Sequence, residues 1–127
     1  MWINLLWVGL GGFVGSVLRY GAGVGIAALC TVRDGQGMRF PLGTLAVNVM
    51  GSLLIGILLR YAEQGSTQHL LGVVGFCGGF TTFSTFSLES VRLLRDGHHT
   101  LALTYIGLSL VLCIGATFLG MTIKTIR

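Results

Sequence analysis

Hydrophobic residues fill four long stretches of this chain, and none of the four carries a charged side chain. The charge-free intervals are Met1–Leu18, Phe40–Leu59, Leu70–Leu88 and Thr100–Ile123. The first stays apolar past Arg19 as far as Leu29. A helix needs roughly 20 apolar residues to cross the hydrocarbon core of a bilayer. We therefore predict an all-α membrane protein with four transmembrane helices, over about residues 3–29, 42–61, 70–94 and 100–124.

Short polar segments connect the four stretches and leave no room for a domain outside the membrane. Charged residues make up 9% of the 127 residues and apolar residues 53%, whereas soluble proteins have about 25% charged residues. The apolar excess must therefore face the lipid bilayer. Lysine and arginine never occur in runs, so the chain has no electrostatic surface for a nucleic-acid partner.

Glycines recur at a spacing of four inside the predicted helices, as in Gly11/Gly15, Gly21/Gly25 and Gly75/Gly79. This small-xxx-small spacing allows helix backbones to approach closely in lipid. Packing within one subunit explains most of these pairs. Four helices that also line a pathway cannot bury every such face, however, so we expect association with a second copy.

The basic residues do not select one orientation in the membrane. The side that holds both termini carries Arg60, Lys124 and Arg127, and the opposite side carries Arg33, Arg39, Arg92 and Arg95. Three positive charges against four leave the positive-inside rule undecided. The hypothesis that follows is insertion in both orientations, which would allow an antiparallel homodimer.

The third stretch contains an unusual segment, Gly75–Ser87, with the sequence GFCGGFTTFSTFS. Each glycine of the pair Gly78-Gly79 costs about 1 kcal/mol relative to alanine inside a helix, and the hydroxyl side chains that follow compete for backbone hydrogen bonds. We predict that the helix breaks near Gly78–Thr82. Carbonyl groups freed at that depth are tolerated only inside protein or along a cavity, where they can hold a cation.

Aromatic and amide side chains near this segment have the chemistry to meet an anion. Phe83 and Phe86 lie one turn apart, and the edge of a phenyl ring is electropositive. Asn48, near the middle of the second stretch, offers two N–H donors. Both features have a structural alternative, since phenylalanines pack and an asparagine can tie helices together.

Other polar residues in the apolar stretches have open roles. Arg19 either reaches the membrane interface with its long side chain or attracts anions in a water-filled vestibule. Glu89 is either its partner or a vestibule residue. Tyr105, Ser109 and Thr117 follow one another at spacings of four and eight residues, which puts them on about the same face of a helix. A line of hydroxyls suggests a polar pathway.

Three segments together closely resemble the Fluc/CrcB family of fluoride channels: GGFVGSVLRY (Gly11–Tyr20), GTLAVNVMGS (Gly43–Ser52) and GGFTTFSTFSLE (Gly78–Glu89). The resemblance covers the whole chain. It implies a fluoride-selective channel for passive export of cytoplasmic fluoride across the bacterial inner membrane. It also implies an antiparallel, dual-topology homodimer with two pores and a central structural Na⁺.

The same resemblance implies a role for individual residues. Phe83 and Phe86 match the phenylalanines whose ring edges face fluoride, and Asn48 matches the pore asparagine that donates to the ion. Residues that match the polar track are Ser84, Thr85, Tyr105 and Thr117, and Ser109 belongs to the same line on the fourth helix. The carbonyls of Gly78 and Thr81 match those that hold Na⁺, and Arg19 matches a vestibule arginine. Cys113 falls where several relatives have serine, which leaves a pore role at that position open.

Three other classes of function fit the sequence less well. A small multidrug exporter has similar length and topology but needs a membrane-embedded carboxylate in its first helix, where this chain has only Arg19. An enzyme is not expected, because His98 and His99 lie in a loop without a nearby nucleophile or carboxylate pair. A purely structural membrane subunit would leave Asn48 and the two phenylalanines as packing residues.

Overall fold

The computed structural model of the chain describes residues 1–33, 35 and 37–123. Lys124 and Arg127, which entered the charge comparison, and the end of the fourth predicted span lie outside the described residues. The helices are α1 (Trp2–Leu29), α2 (Leu42–Leu58), a π-helical segment (His69–Cys77), a single turn α3 (Gly78–Phe80), α4 (Phe83–Arg95) and α5 (His99–Thr122). The described residues form no strand beyond one isolated bridge in the first loop.

Three helical stretches are long and apolar enough to cross a membrane. They are Trp2–Leu29, His69–Arg95 and His99–Thr122. The α2 helix is also apolar but has 17 residues, which at 1.5 Å per residue makes it about 25 Å long. Four apolar helical stretches therefore follow the four hydrophobic intervals of the sequence.

Glycines join α1 to the π-helical segment with direct backbone contact. A Cβ atom added at Gly11 or Gly15 would collide with the carbonyl oxygens of Leu71 and Phe76, respectively. One added at Gly75 would lie 2.7 Å from the carbonyl oxygen of Val8. Side chains are excluded from this contact on both helices. The pairs Gly11/Gly15 and Gly75/Gly79 are thus used within the subunit, whereas a Cβ at Gly21 or Gly25 would meet no atom within 4 Å.

Local sequence explains how α4 ends, and a side chain distant in sequence satisfies the end of α5. Gly97 has a positive φ of 83°, its amide bonds to the Leu94 carbonyl, and the His98 amide bonds to the Leu93 carbonyl. This is the Schellman arrangement that glycine permits after a helix. At the opposite end of the molecule, Arg60 donates to the carbonyls of Met121 and Ile123, so a basic side chain satisfies the C-terminus of α5.

A buried cluster lies where the first loop meets α4 and α5. Its core residues are Leu45, Leu93, Ala102 and Tyr105. Phe40, from the end of the loop, packs edge-on against the Tyr105 ring with centroids 5.7 Å apart. The loop is closed by the Phe40 amide, which donates to the Val32 carbonyl at 2.7 Å. The first loop, the end of α4 and the start of α5 therefore form one packed end of the molecule.

Candidate functional site

The third apolar helix is broken at two threonines. Thr81 and Thr82 have extended backbones, with φ/ψ of −89°/158° and −149°/115°. The Thr82 hydroxyl then accepts a hydrogen bond from the Thr85 amide at 3.2 Å, which makes Thr82 the N-cap of α4. The break lies inside the predicted range, and of the two causes expected, the hydroxyl residues contribute and the glycine pair does not. Gly78 and Gly79 remain in helical turn α3, and the threonines leave the helix.

Packing explains why the glycine pair stays helical. A Cβ at Gly79 would lie 2.5 Å from the carbonyl oxygen of Gly12, so Gly79 serves the close approach of α1 rather than the unwinding. One residue past this turn, the methyl group of Thr81 lies directly against Gly51 on α2. The break therefore begins where the chain passes from contact with α1 to contact with α2.

Asn48 holds the break in place. Its side-chain oxygen accepts from the Thr82 amide at 2.8 Å, and its Nδ2 donates to the Thr82 carbonyl at 3.1 Å. In a continuous helix the Thr82 amide would bond to the carbonyl of Gly78. Of the two roles considered for Asn48, the tie between helices is thus present in the structure. The amide has a second N–H, and Asn48 also lines the cavity described next.

A cavity of about 320 Å³ opens beside the break. It is lined by Asn48, Gly51, Ser52, Ile55, Val73, Cys77, Gly78, Thr81, Thr82, Phe83, Phe86, Ser109, Leu110, Cys113 and Ile114. We call it the central cavity. Within the described part of the chain, its lining contains hydroxyls, one amide and two phenyl rings but no charged side chain. It brings together six of the residues singled out from the sequence: Asn48, Gly78, Thr81, Phe83, Phe86 and Ser109.

The two phenylalanines differ in how far the subunit covers them. Their ring centroids are 5.5 Å apart. Phe86 is half-buried and packs against Tyr105 at 5.3 Å between centroids. Phe83 is 75% exposed, although it lines the central cavity. One side of the cavity wall is therefore open to the surface of the single subunit.

Ser109 brings an unpaired hydroxyl to the central cavity. The residue is only 6% exposed, and among the residues that the structure describes no group hydrogen-bonds to its Oγ. Leaving a buried polar group without a partner costs about 1–3 kcal/mol. Ser109 is therefore a polar group of the cavity lining whose hydrogen-bonding capacity the described residues leave unused.

Tyr105 is turned away from the central cavity toward Glu89. Its hydroxyl donates to Glu89 Oε2 at 2.7 Å, and the Thr44 hydroxyl donates to Glu89 Oε1 at 2.9 Å. This three-residue network joins α2, α4 and α5. Sequence reasoning left the role of Glu89 undecided and did not single out Thr44. Two signals were available in the sequence. Glu89 is a carboxylate directly after the third apolar stretch, and Thr44 is a hydroxyl residue near the start of the second.

Three other hydroxyl residues singled out from the sequence, Ser84, Thr85 and Thr117, lie outside the lining of the central cavity. Thr117 donates to the carbonyls of Ser52 and Cys113, both at 3.1 Å. Ser84 is exposed on α4. Thr85 accepts from the Thr82 hydroxyl at 3.1 Å and lines a different cavity. The single subunit therefore does not assemble the whole polar line into one continuous track.

Arg19 lies in that different cavity, which we call the arginine cavity, of about 280 Å³. Its Nε donates to the carbonyl of Gly79 at 3.1 Å, and the cavity is also lined by Thr44, Thr82 and Thr85. The guanidinium is thus held against α3 inside the molecule. Thr82 therefore belongs to the wall of both the arginine cavity and the central cavity.

No side-chain metal centre accompanies these cavities within the described ranges 1–33, 35 and 37–123. No group of three or more His, Cys, Asp or Glu side chains there is arranged to hold a metal ion.

Comparison with known proteins identifies the family. Residues 6–121 match the family model described as "CrcB-like protein, Camphor Resistance (CrcB)". The chain belongs to the CrcB family. CrcB proteins similar to it include a Fluoride-specific ion channel FluC from Sulfurovum sp., 44% identical over 119 residues, or 92% of this chain and 90% of the relative.

Two further relatives with the name Fluoride-specific ion channel FluC extend the similarity to nearly the full length. The one from Agrobacterium fabrum is 44% identical over 125 residues, 95% of each chain. The one from Coxiella burnetii is 39% identical over 126 residues, 95% of this chain and 97% of the relative. The resemblance to the Fluc/CrcB family is therefore confirmed. These names describe channels rather than enzymes, and with several apolar helices this CrcB chain is a multi-pass membrane protein.

Proposed function

We propose that this chain is a fluoride-selective channel through which fluoride leaves the cytoplasm passively across the bacterial inner membrane. The observation that carries the proposal is similarity over more than nine-tenths of the chain to proteins named as fluoride-specific ion channels. The central cavity supports it, since its lining has the neutral donors that an anion requires.

The chemistry of the central cavity suits a small, strongly hydrated anion. A pore must replace the water of such an ion and yet bind it weakly enough for release. The Ser109 hydroxyl lacks a described partner, Asn48 has a second N–H, and Phe83 presents its ring at the open side. A fixed positive charge would attract chloride as well, and none of the arginines that the structure describes lines this cavity. Fluoride is the halide that accepts hydrogen bonds most strongly, so neutral donors favour it.

The open side of the central cavity supports an antiparallel homodimer with two pores. Phe83 is mostly exposed in one subunit, and a second copy that covers it would complete the wall. Two identical cavities would then give two pores. The near balance of basic residues between the two sides of the chain supports opposite orientations of the two copies.

A structural Na⁺ between the two copies belongs to the same proposal. Gly78 is exposed, a Cβ there would meet no atom within 4 Å, and the Thr82 amide that would cover its carbonyl donates to Asn48 instead. A hard cation is held by such freed carbonyl oxygens. Gly78 and Thr81 of two copies would offer four of them, and the ion would supply positive charge where these carbonyls converge.

Reconstitution into liposomes tests the function. A fluoride-selective electrode should record efflux from liposomes that contain the purified protein, and a chloride electrode should record far less under the same gradient. Chloride efflux as fast as fluoride efflux, or no fluoride efflux, would refute the proposal. Replacing internal and external Na⁺ with a larger organic cation should lower the flux if an ion at Gly78 and Thr81 holds the dimer.

A further inference from the structure

A third cavity, of about 340 Å³, lies at the packed end of the molecule where the first loop joins α2. Its lining is Gly23, Ala27, Cys30, Thr31, Arg39, Phe40, Pro41, Leu42, Gly43, Thr44 and Glu89. We call it the mouth cavity. Arg39 and Glu89 are the charged side chains in this lining, one of each sign.

The mouth cavity adjoins the other two cavities. It shares Gly23, Ala27, Gly43 and Thr44 with the arginine cavity. The arginine cavity in turn shares Thr82 with the central cavity. The three cavities therefore follow one another from the first loop to the break in the third helix, and the residues that they share are small.

Glu89 poses an electrostatic problem for an anion that takes this route. Both carboxylate oxygens are fixed by hydroxyl donors, from Thr44 and Tyr105, and Thr44 itself lines the mouth and arginine cavities. An ion that passes Thr44 therefore passes the carboxylate. Among the residues that the structure describes, Glu89 is the negative charge of this lining. Without Arg39 it would repel anions, and clefts focus such a field because their walls have a low dielectric constant.

We propose that Arg39 sets the sign of the charge at this mouth. Its guanidinium offsets the carboxylate of Glu89, so that a cavity which would otherwise favour cations admits a halide anion. This inference rests on the proposed function and adds a residue to it. Arg39 acts on the entry of the ion and has no part in the donors of the central cavity.

The first loop holds Arg39 in a defined place. Arg39 pairs with Arg33 across an antiparallel bridge, Gly37 makes the turn between them with φ of 83°, and Phe40 anchors the next position against Tyr105. Arg33 carries the same charge on the same loop but does not line the mouth cavity. The chain thus provides its own matched control.

Coulomb's law gives the expected size of the effect. Removing one unit charge about 8 Å from the path changes the local anion concentration roughly two-fold at the dielectric constant of water and about thirty-fold at an effective value of 20. The change should shrink with added salt, since the Debye length falls from about 30 Å at 0.01 M to about 3 Å at 1 M.

The first experiment compares fluoride efflux from liposomes for the wild type, R39Q, R39K and R33Q at low and high ionic strength. R39Q should lower the initial rate at least two-fold at low ionic strength, and the deficit should narrow at high ionic strength. R39K should stay close to the wild type, and R33Q should lower the rate less than R39Q does, because Arg33 lies outside the cavity lining. Equal rates for R39Q and R33Q, or an R39Q deficit that salt does not change, would overturn the inference. The wild-type rate alone decides the proposed function.

The second experiment restores the charge chemically within one folded preparation. Cys30 is exposed and lines the mouth cavity. R39Q protein is treated in detergent with a trimethylammonioethyl or a sulfonatoethyl methanethiosulfonate. The Cys30 thiolate attacks the thiosulfonate, a disulfide forms, and methanesulfinate leaves with the electron pair. The cationic group should raise the fluoride rate and the anionic group lower it, and C30S should abolish both effects. Equal slowing by both groups would contradict a role for charge.

Discussion

Replacing Asn48 by alanine should destabilise the break in the third helix by a measurable amount. The substitution removes both partners of Thr82, whose amide and carbonyl bond to the Asn48 side chain at 2.8 and 3.1 Å. Each buried group left unpaired costs about 1–3 kcal/mol. Both residues are half-buried beside a cavity, so water can replace part of the loss and the lower end applies.

The expected loss is therefore about 2 kcal/mol, which for a chain of this length corresponds to a fall in Tm of roughly 5–10 °C. Cys77 is 2% exposed and provides the assay, because a thiol-reactive fluorophore labels it only when the protein opens. The double variant C30S/C113S should serve as the background, since Cys30 is exposed and Cys113 is half-buried in the folded chain.

The matched control is T104A. Thr104 is exposed and donates within its own helix to the Thr100 carbonyl at 2.8 Å, so its loss should shift Tm by about 1 °C or less, as surface substitutions generally do. A Tm for N48A equal to that of T104A would refute the role given to Asn48. N48D keeps the acceptor for the Thr82 amide but loses the donor to the Thr82 carbonyl. Its Tm should lie between those of N48A and the wild type.

Three further predictions concern the cavity, the glycine contact and the orientation. S109A removes a buried hydroxyl without a described partner, so it should leave the free energy of unfolding unchanged or raise it by up to about 1 kcal/mol, while fluoride efflux falls. A reduced Tm with unchanged efflux would contradict the role given to Ser109. G75A places a methyl group 2.7 Å from the carbonyl oxygen of Val8 and should cost about 1–3 kcal/mol as overpacking, whereas G107A, where the added Cβ meets no atom within 4 Å, should not destabilise the chain. If both orientations occur, a membrane-impermeant maleimide should label about half of the Cys30 thiols from outside intact cells and the other half only after lysis. Labelling of all Cys30 thiols from one side would exclude dual topology.

Sequence patterns anticipate the broad architecture because hydrophobic length is a strong constraint in lipid. Four charge-free intervals correspond to four apolar helical stretches, and the Gly78–Thr82 range contains the break. The mechanism of the break was less accessible. Propensity assigned it to the glycines and to the hydroxyls that follow them, whereas tertiary contact with α1 keeps Gly79 helical and the Asn48 side chain bonds to the extended Thr82.

The site is predictable in part, for a comparable reason. Asn48, Phe83, Phe86 and Ser109 meet in one cavity, as polar and aromatic residues in an apolar span suggest. The Glu89 network was not foreseen, because its three members are 45 and 16 residues apart in sequence and only the fold brings them together. No periodicity reports contacts between different helices.

The dependence of the break on Asn48 has a consequence for how the protein assembles in the membrane. Before α2 meets the third stretch, the Thr82 amide and carbonyl have no side-chain partner, and lipid penalises bare backbone groups heavily. We expect residues 69–95 to enter the bilayer as one continuous helix and to bend only when Asn48 docks. The carbonyls proposed to bind Na⁺ and the start of α4 would then form only after insertion, so insertion and formation of the central cavity would be separate events.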